Sequence, residues 1–210
     1  NHTLDYGKAG KTGTIEALTA AGVGVFDELT PYIFEKDGIK IAFFGMQRVH
    51  FFSLREQLKE QIRILREEEG VNAIIFAQHA GTEYSSQHTN AQIDLAHKLI
   101  DMGADFIAGS HPHVVQGMEV YNGRYIFYSM GNFCFGGNSN PDDKDTMIFQ
   151  QTFAINGAGK SLTAASISFP APFLLQTVIT TISQPLLPAM KPPESNPRLM
   201  NAAQRFQQQI

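Results

Sequence analysis

The stretch Ala73-Ile74-Ile75-Phe76-Ala77-Gln78-His79, followed by Asn90 to Met102 and then by Phe106-Ile107-Ala108-Gly109-Ser110-His111-Pro112-His113, decides the fold. Ala73 to Ala77 is a short, uninterrupted apolar run, the pattern of a strand covered on both faces in a parallel sheet. From Asn90 to Met102, Ile93, Ala96, Leu99 and Ile100 share one face, Thr89 and Asn90 offer caps and Gly103 a stop, which predicts a helix. Phe106 to Ala108 repeats the buried-strand pattern. Strand, helix, strand with polar residues at both strand ends is how an α/β protein assembles a site at the edge of its sheet.

Upstream of this unit, Leu54, Leu58, Ile62 and Leu65 recur on one stripe among Arg, Lys and Glu, predicting an amphipathic helix. Lys8 to Ala21 predicts a shorter helix in which Ile15 and Leu18 share a face, ending at Gly22. Tyr32–Glu35 and Ile39–Phe44 flank Lys36-Asp37-Gly38, a hairpin signal. Downstream the pattern becomes antiparallel: Gly117 to Tyr121, an Asn122-Gly123 turn, Arg124 to Ser129, and later Met147 to Ile155 with Ala164 to Phe169, read together as a second sheet. Gly136 to Asp145 reads as a surface loop and Pro188 to Pro197 as an irregular tail, and no internal repeat is present.

At 210 residues, 43% hydrophobic and 17% charged, the chain can bury a substantial core. Sixteen Lys and Arg against 20 Asp and Glu, without a basic cluster, argue against a nucleic-acid partner. The single cysteine, Cys134, rules out an intrachain disulfide and a Cys-based zinc site, so any metal must bind through imidazole, carboxylate or amide. Phe173 to Met190 is interrupted by Gln176, Gln184, Pro185 and Pro188 and falls short of the roughly 20 apolar residues of a spanning helix. The sequence starts at Asn1 without a signal-peptide pattern, and a native N-terminus is expected upstream.

Three of the seven histidines, His79, His111 and His113, sit at strand ends, and neutral imidazole is the commonest protein ligand for transition metals. A lone strand-end histidine is more often structural, but two such ends, one carrying a His-x-His pair, favour a metal site. His97 reads as a helix-surface or interface residue, and His50 and His88 as loop or solvated positions. Phe43, Phe44, Phe51 and Phe52 read as packing residues, and Phe133 and Phe135 as core.

Asn1-His2-Thr3-Leu4-Asp5-Tyr6-Gly7, His79-Ala80-Gly81-Thr82-Glu83-Tyr84, Gly109-Ser110-His111-Pro112-His113-Val114-Val115-Gln116-Gly117 and Tyr128-Ser129-Met130-Gly131-Asn132-Phe133 occur in this order. The set resembles the poly-gamma-glutamate capsule synthesis (CapA) family, a branch of the calcineurin-like metallophosphoesterases, and the resemblance covers about Asn1 to Phe169. The resemblance implies an α/β fold of two packed mixed β-sheets flanked by helices, with residues 1–170 forming the C-terminal portion of that domain and 171–210 an extension. It implies Asn1, His79, His111 and His113 as metal ligands and His2 as the histidine that protonates a leaving group. Asp5 and Glu83 are candidates for orienting a histidine, with capping or solvation as the alternative, and Asn132 could line the cleft or shape a turn.

The implied cofactor is a pair of divalent ions, Mn, Fe or Zn, completed by a Gly-Asp motif and a further acidic motif expected upstream of Asn1. The implied activity is hydrolysis of a phosphoester or amide-type bond. The alternative is a non-catalytic assembly or export component that binds an anionic polymer. Expected partners are an anionic polymer or phosphorylated substrate and other capsule-synthesis proteins. The expected location is the bacterial cell envelope or extracellular face, with an anchor in the upstream segment.

Overall fold

The computed structural model describes residues 1–133 and 140–155 and, for its backbone, 161–168. After a 3-10 turn at His2–Leu4, α1 spans Gly7–Ala20, β1 Tyr32–Lys36, β2 Ile39–Gln47, α2 Arg48–Glu67, β3 Ala73–His79 and α3 Asn90–Asp101. β4 (Phe106–Ser110), β5 (Met118–Tyr121), β6 (Arg124–Phe127), β7 (Ile148–Ile155) and β8 (Ser161–Ser168) complete the described elements. β2, β3, β4 and β6 run parallel, β1 and β5 close the edges antiparallel, and the order is β1-β2-β3-β4-β6-β5. β7 and β8 form a separate antiparallel pair.

This corrects one expectation. The hairpin of β5 and β6 belongs to the main sheet, because Phe106, Ile107 and Ala108 of β4 register against Tyr125, Ile126 and Phe127. Only β7 and β8 make the second sheet among the described residues. Both hairpin turns behave as their sequences predict: Asp37-Gly38 and Asn122-Gly123 carry positive φ at both positions (53° and 76°, 49° and 72°), the twist that a two-residue hairpin loop requires.

Alternation along the strands divides the core. Ala42, Phe44, Met46, Ile74, Phe76 and Ile107 point to one face, where Phe51, Leu58, Ile62 and Leu65 of α2 and Leu95, Ala96, Leu99 and Ile100 of α3 cover them. Ile41, Ala73, Phe106 and Phe127 point to the other, against Met147, Phe149 and Phe153 on or beside β7. The main sheet is thus the middle layer between two helices and a second sheet. Next to β7 this second face keeps an apolar cavity of about 220 Å³ lined in part by Phe26, Phe43, Ile75 and Phe149.

One buried ion network ties the layers at the end of the sheet away from the histidines. Asp105, just before β4, is 2% exposed and bonds Arg66 of α2, Arg124 of β6 (3.0 Å) and the backbone N–H of Ile74 (2.8 Å). Arg66 also donates to the carbonyls of Val71 (2.9 Å) and Gly103 (3.0 Å). On the opposite flank of α3, Glu119 accepts from the Tyr128 hydroxyl (2.5 Å) and pairs with His97 Nε2 (2.6 Å), and the His97 ring stacks on Tyr121. His97 therefore joins a helix to the β5–β6 hairpin, as its helix-interface reading expects.

Other expectations shift. α1 forms, but none of its residues is buried, so the face shared by Ile15 and Leu18 is open in this chain. Phe44 and Phe51 are core, whereas Phe52 is exposed beneath Lys98, and Phe133 is 57% exposed. Phe133 follows the Gly131 turn, whose positive φ of 74° turns the chain away from the core. Phe135, Cys134 and the 171–210 extension lie outside the described residues. No helix among the described residues is long and apolar enough to cross a membrane.

Candidate functional site

The parallel register carries the chemistry to one edge: His79 ends β3 beside Ser110, which ends β4 and leads into His111. Ring centroids of His79 and His111 lie 4.6 Å apart, and those of His111 and His113 lie 6.3 Å apart. From the far end of the sequence, Asn1 brings its amide oxygen to 2.8 Å from His79 Nε2. This contact is a hydrogen bond, and both atoms are of types that can ligate a divalent ion. His79 Nδ1 faces the Ser110 hydroxyl at 3.3 Å.

The other histidines are held differently. Asn132 Nδ2 donates to the His113 carbonyl (3.2 Å), which fixes the amide so that its oxygen accepts from His113 Nδ1 (2.8 Å). That bond sets the tautomer and leaves the Nε2 lone pair as the ring's acceptor, the arrangement found behind metal-binding histidines. His111 Nδ1 is buried without a hydrogen-bond partner and lies 4.0 Å from a Glu83 carboxylate oxygen. Glu83, His111 and His113 each offer a donor atom, and the three atoms lie within 4.8 Å of one another. His2 is exposed, and its Nδ1 donates to Asp5 (2.8 Å).

Backbone strain gathers here. Apart from the hairpin residues Asp37 and Asn122, the described non-glycine residues with positive φ are Tyr84 (60°), His111 (103°) and His113 (62°). Such conformations cost of order 1–3 kcal/mol each and persist only where surroundings enforce them. Enforcement is visible: Tyr84 N–H donates to the Pro112 carbonyl (2.8 Å) and the Tyr84 ring stacks on His113. Beneath the loops lie three buried carboxamides. Gln92 donates to Gln116 Oε1 (2.8 Å) and to the Tyr128 carbonyl, Gln116 donates to the carbonyls of Ser85 (2.8 Å) and Gln87 (3.2 Å), and Gln78 donates to the Gln92 carbonyl (3.3 Å).

Burial pushes His79 down to about 4, aided by the nearby His111, His113 and His2. Burial also lowers His111, against an opposing pull from Glu83, and lowers His88, whose ring stacks on Tyr128. Imidazoles kept neutral near pH 7 are ready to ligate. In the metal-free chain the sign is fixed: below the unfolded value of about 6.5 the unfolded chain takes up protons that the folded chain resists. Stability is full above that pH and is lost as pH falls toward about 4. The melting temperature is therefore expected to be lower at pH 5 than at pH 7.5, with a smaller drop in His79→Gln. A flat profile by differential scanning fluorimetry would contradict this.

The eight residues singled out by sequence gather together: Asn1 bonds His79, whose ring lies next to His111, Glu83 lies beside His111, Asn132 bonds His113, and His2 and Asp5 pair beside Asn1. Sequence reasoning did not single out Ser110, Tyr84 or the glutamines. Tyr84, Ser110 and Gln116 lie inside the quoted motifs, but their residue types alone do not mark what they contact. For Gln92 the available signal, Thr89 followed three residues later by Gln, has a sufficient local reading as a capping box, which the structure contains.

Fold and site together define an α/β domain with a cluster of histidines at the carboxyl edge of a mixed sheet, whose donor atoms lie close enough to be candidates for holding a metal ion. Residues 1–137 match the family described as Bacterial capsule synthesis protein PGA_cap, and the chain belongs to that family. It is 30% identical over 179 residues to the PGA biosynthesis protein CapA of Bacillus subtilis, covering 76% of this chain and 47% of that protein. It is 31% identical over 179 residues to the Capsule biosynthesis protein CapA of Bacillus anthracis (75% and 43%). A Probable polyglutamine synthesis accessory protein of Mycobacterium tuberculosis is 24% identical over 161 residues (63% and 42%). The chain spans less than half the length of these relatives.

Proposed function

We propose that this chain carries the metal-binding part of a hydrolase-type domain that works in the synthesis of poly-gamma-glutamate or a similar polymer of the bacterial cell envelope. The observation that carries the reading is the convergence of Asn1, His79, His111 and His113 from three distant segments onto one edge of the sheet, with His111 Nδ1 buried and open. The donor set of imidazole, amide and carboxylate suits Mn, Fe or Zn. Bound there, a divalent ion would supply Lewis-acid polarisation and a water of lowered pKa.

The chain's own residues supply the rest. Asn1 and His79, with His111 next to His79 and His113 beyond it, would hold the ion. Asn132 keeps the His113 lone pair turned outward from its own amide. Asp5 orients His2, which stands exposed beside Asn1 and can deliver a proton to a leaving group from the solvent side. The substrate would be an anionic polymer or a phosphorylated precursor, met at the envelope or extracellular face beside other capsule-synthesis proteins.

His111→Ala is expected to weaken binding of Zn²⁺ or Mn²⁺ by at least about 100-fold, more than is typical for loss of an outer-shell partner. Metal analysis after dialysis checks it; retention of full metal in the variant would remove the basis of the reading. A second reading, a non-catalytic assembly component that binds anionic polymer, is favoured by the word accessory in the mycobacterial relative's name. Polymer formation that survives His2→Ala in cells would favour it over hydrolysis.

A further inference from the structure

We propose that Glu83 is itself a metal ligand, completing with His111 and His113 a three-donor cation site contained within this chain. The inference rests on the metal-dependent reading above and narrows it, giving Glu83 a place on the ion instead of an orienting role behind a histidine.

The argument starts from how histidine and carboxylate behave elsewhere in the molecule. His2 with Asp5, His50 with Glu28 and His97 with Glu119 are closed pairs, at 2.8, 2.8 and 2.6 Å. A carboxylate that orients a histidine makes this contact, since it accepts the ring N–H directly. His111 and Glu83 do not close: the atoms stop at 4.0 Å, beyond any hydrogen bond, and leave a buried ring nitrogen without a partner. Desolvating such a nitrogen without compensation is destabilising, so the gap needs an explanation.

A cation between the two atoms explains it. Two donors at 2.0–2.2 Å from one ion can stand up to roughly 4.4 Å apart, which admits the observed 4.0 Å. His113 joins within the same 4.8 Å span, so the set would close on an ion once its donor atoms drew together by up to roughly 1 Å. Two imidazoles and one carboxylate suit zinc and leave a position open for water or substrate.

Glu83 is also held where a ligand must be held. Its neighbour Tyr84 is locked at positive φ by the bond to the Pro112 carbonyl, between the two histidines in sequence. Two and four residues beyond Glu83, the carbonyls of Ser85 and Gln87 are gripped by the buried Gln116 amide. An exposed loop with a merely solvated glutamate at its tip has no need of these anchors.

The test uses the 210-residue chain, its Glu83→Gln variant and, as a control, His50→Ala, which opens the exposed His50–Glu28 pair instead. Folding is compared by circular dichroism, Zn²⁺ affinity is measured by competition with a chromophoric chelator, and the visible spectrum is recorded at Co²⁺ saturation. The expected result is Zn²⁺ binding by the wild-type chain, at least about 100-fold weaker binding in Glu83→Gln with an altered Co²⁺ spectrum, and no change in His50→Ala. Weaker binding with an unchanged spectrum at saturation would make Glu83 an outer orienting group and overturn the proposal, as would unchanged affinity. If the wild-type chain binds neither metal, the self-contained site is overturned; the metal-dependent reading falls only if a longer chain carrying the upstream acidic motifs also binds none, so the two failures are distinguishable.

Discussion

Gly109→Ala is expected to destabilise the chain by at least about 3 kcal/mol, or to prevent soluble folding. Gly109 lies in β4, where a Cβ atom would overlap the main-chain carbonyl oxygens of Phe127 and Tyr128 on the neighbouring strand. Neither backbone can yield without breaking the bond from Met130 N–H to the Gly109 carbonyl (3.1 Å) and the register of β4 with β6. The same peptide leads through Ser110 into His111, so any variant that does fold is expected to lose metal affinity too. Urea denaturation and zinc titration of the soluble fraction check both, and wild-type values for either would contradict the close-approach argument.

Asp105→Ala is expected to cost about 3 kcal/mol, the lower end of the range for breaking a buried ion pair, because Arg66 and Arg124 each keep about a quarter of their side chains in solvent. The loss leaves two guanidinium groups without their shared acceptor and the Ile74 N–H without its side-chain partner. For a chain of this size that is a fall of roughly 6–12 °C in melting temperature. Because the network sits at the opposite end of the strands from the histidines, metal affinity at temperatures where the variant is folded is expected to remain at the wild-type level. Calorimetry and zinc titration separate the two, and a melting shift below about 2 °C would refute the assignment of Asp105 as the joint between α2, β3 and β6.

The strand-helix-strand unit was legible in the sequence because each of its signals is local. A continuous apolar run means a strand buried on both faces, and Thr89 and Asn90 offer caps at a helix start. Where the β5–β6 hairpin docks is a non-local matter. Its alternation says that it pairs, but its sheet is chosen by contacts such as Arg124 with Asp105 and Phe106 opposite Tyr125, between residues about 20 apart. The candidate ligands were legible because histidines at strand ends are rare enough to notice. Their supports were not: Gln116 and Ser110 are common residue types whose role comes only from what the fold sets beside them. Phe133 misled for the same reason, since its outward direction is set by the turn at Gly131.

The floor beneath the histidines is built from Gln78, Gln92 and Gln116, side chains that carry no charge at any pH the protein meets. A glutamate at any of these places would offer a rival anion to an incoming cation and would swell or collapse the floor as it took up a proton. With amides, the histidines above can gain and lose protons while the foundation beneath them keeps the same charge. If the proposed centre takes up its cation, it could be emptied and refilled without being rebuilt.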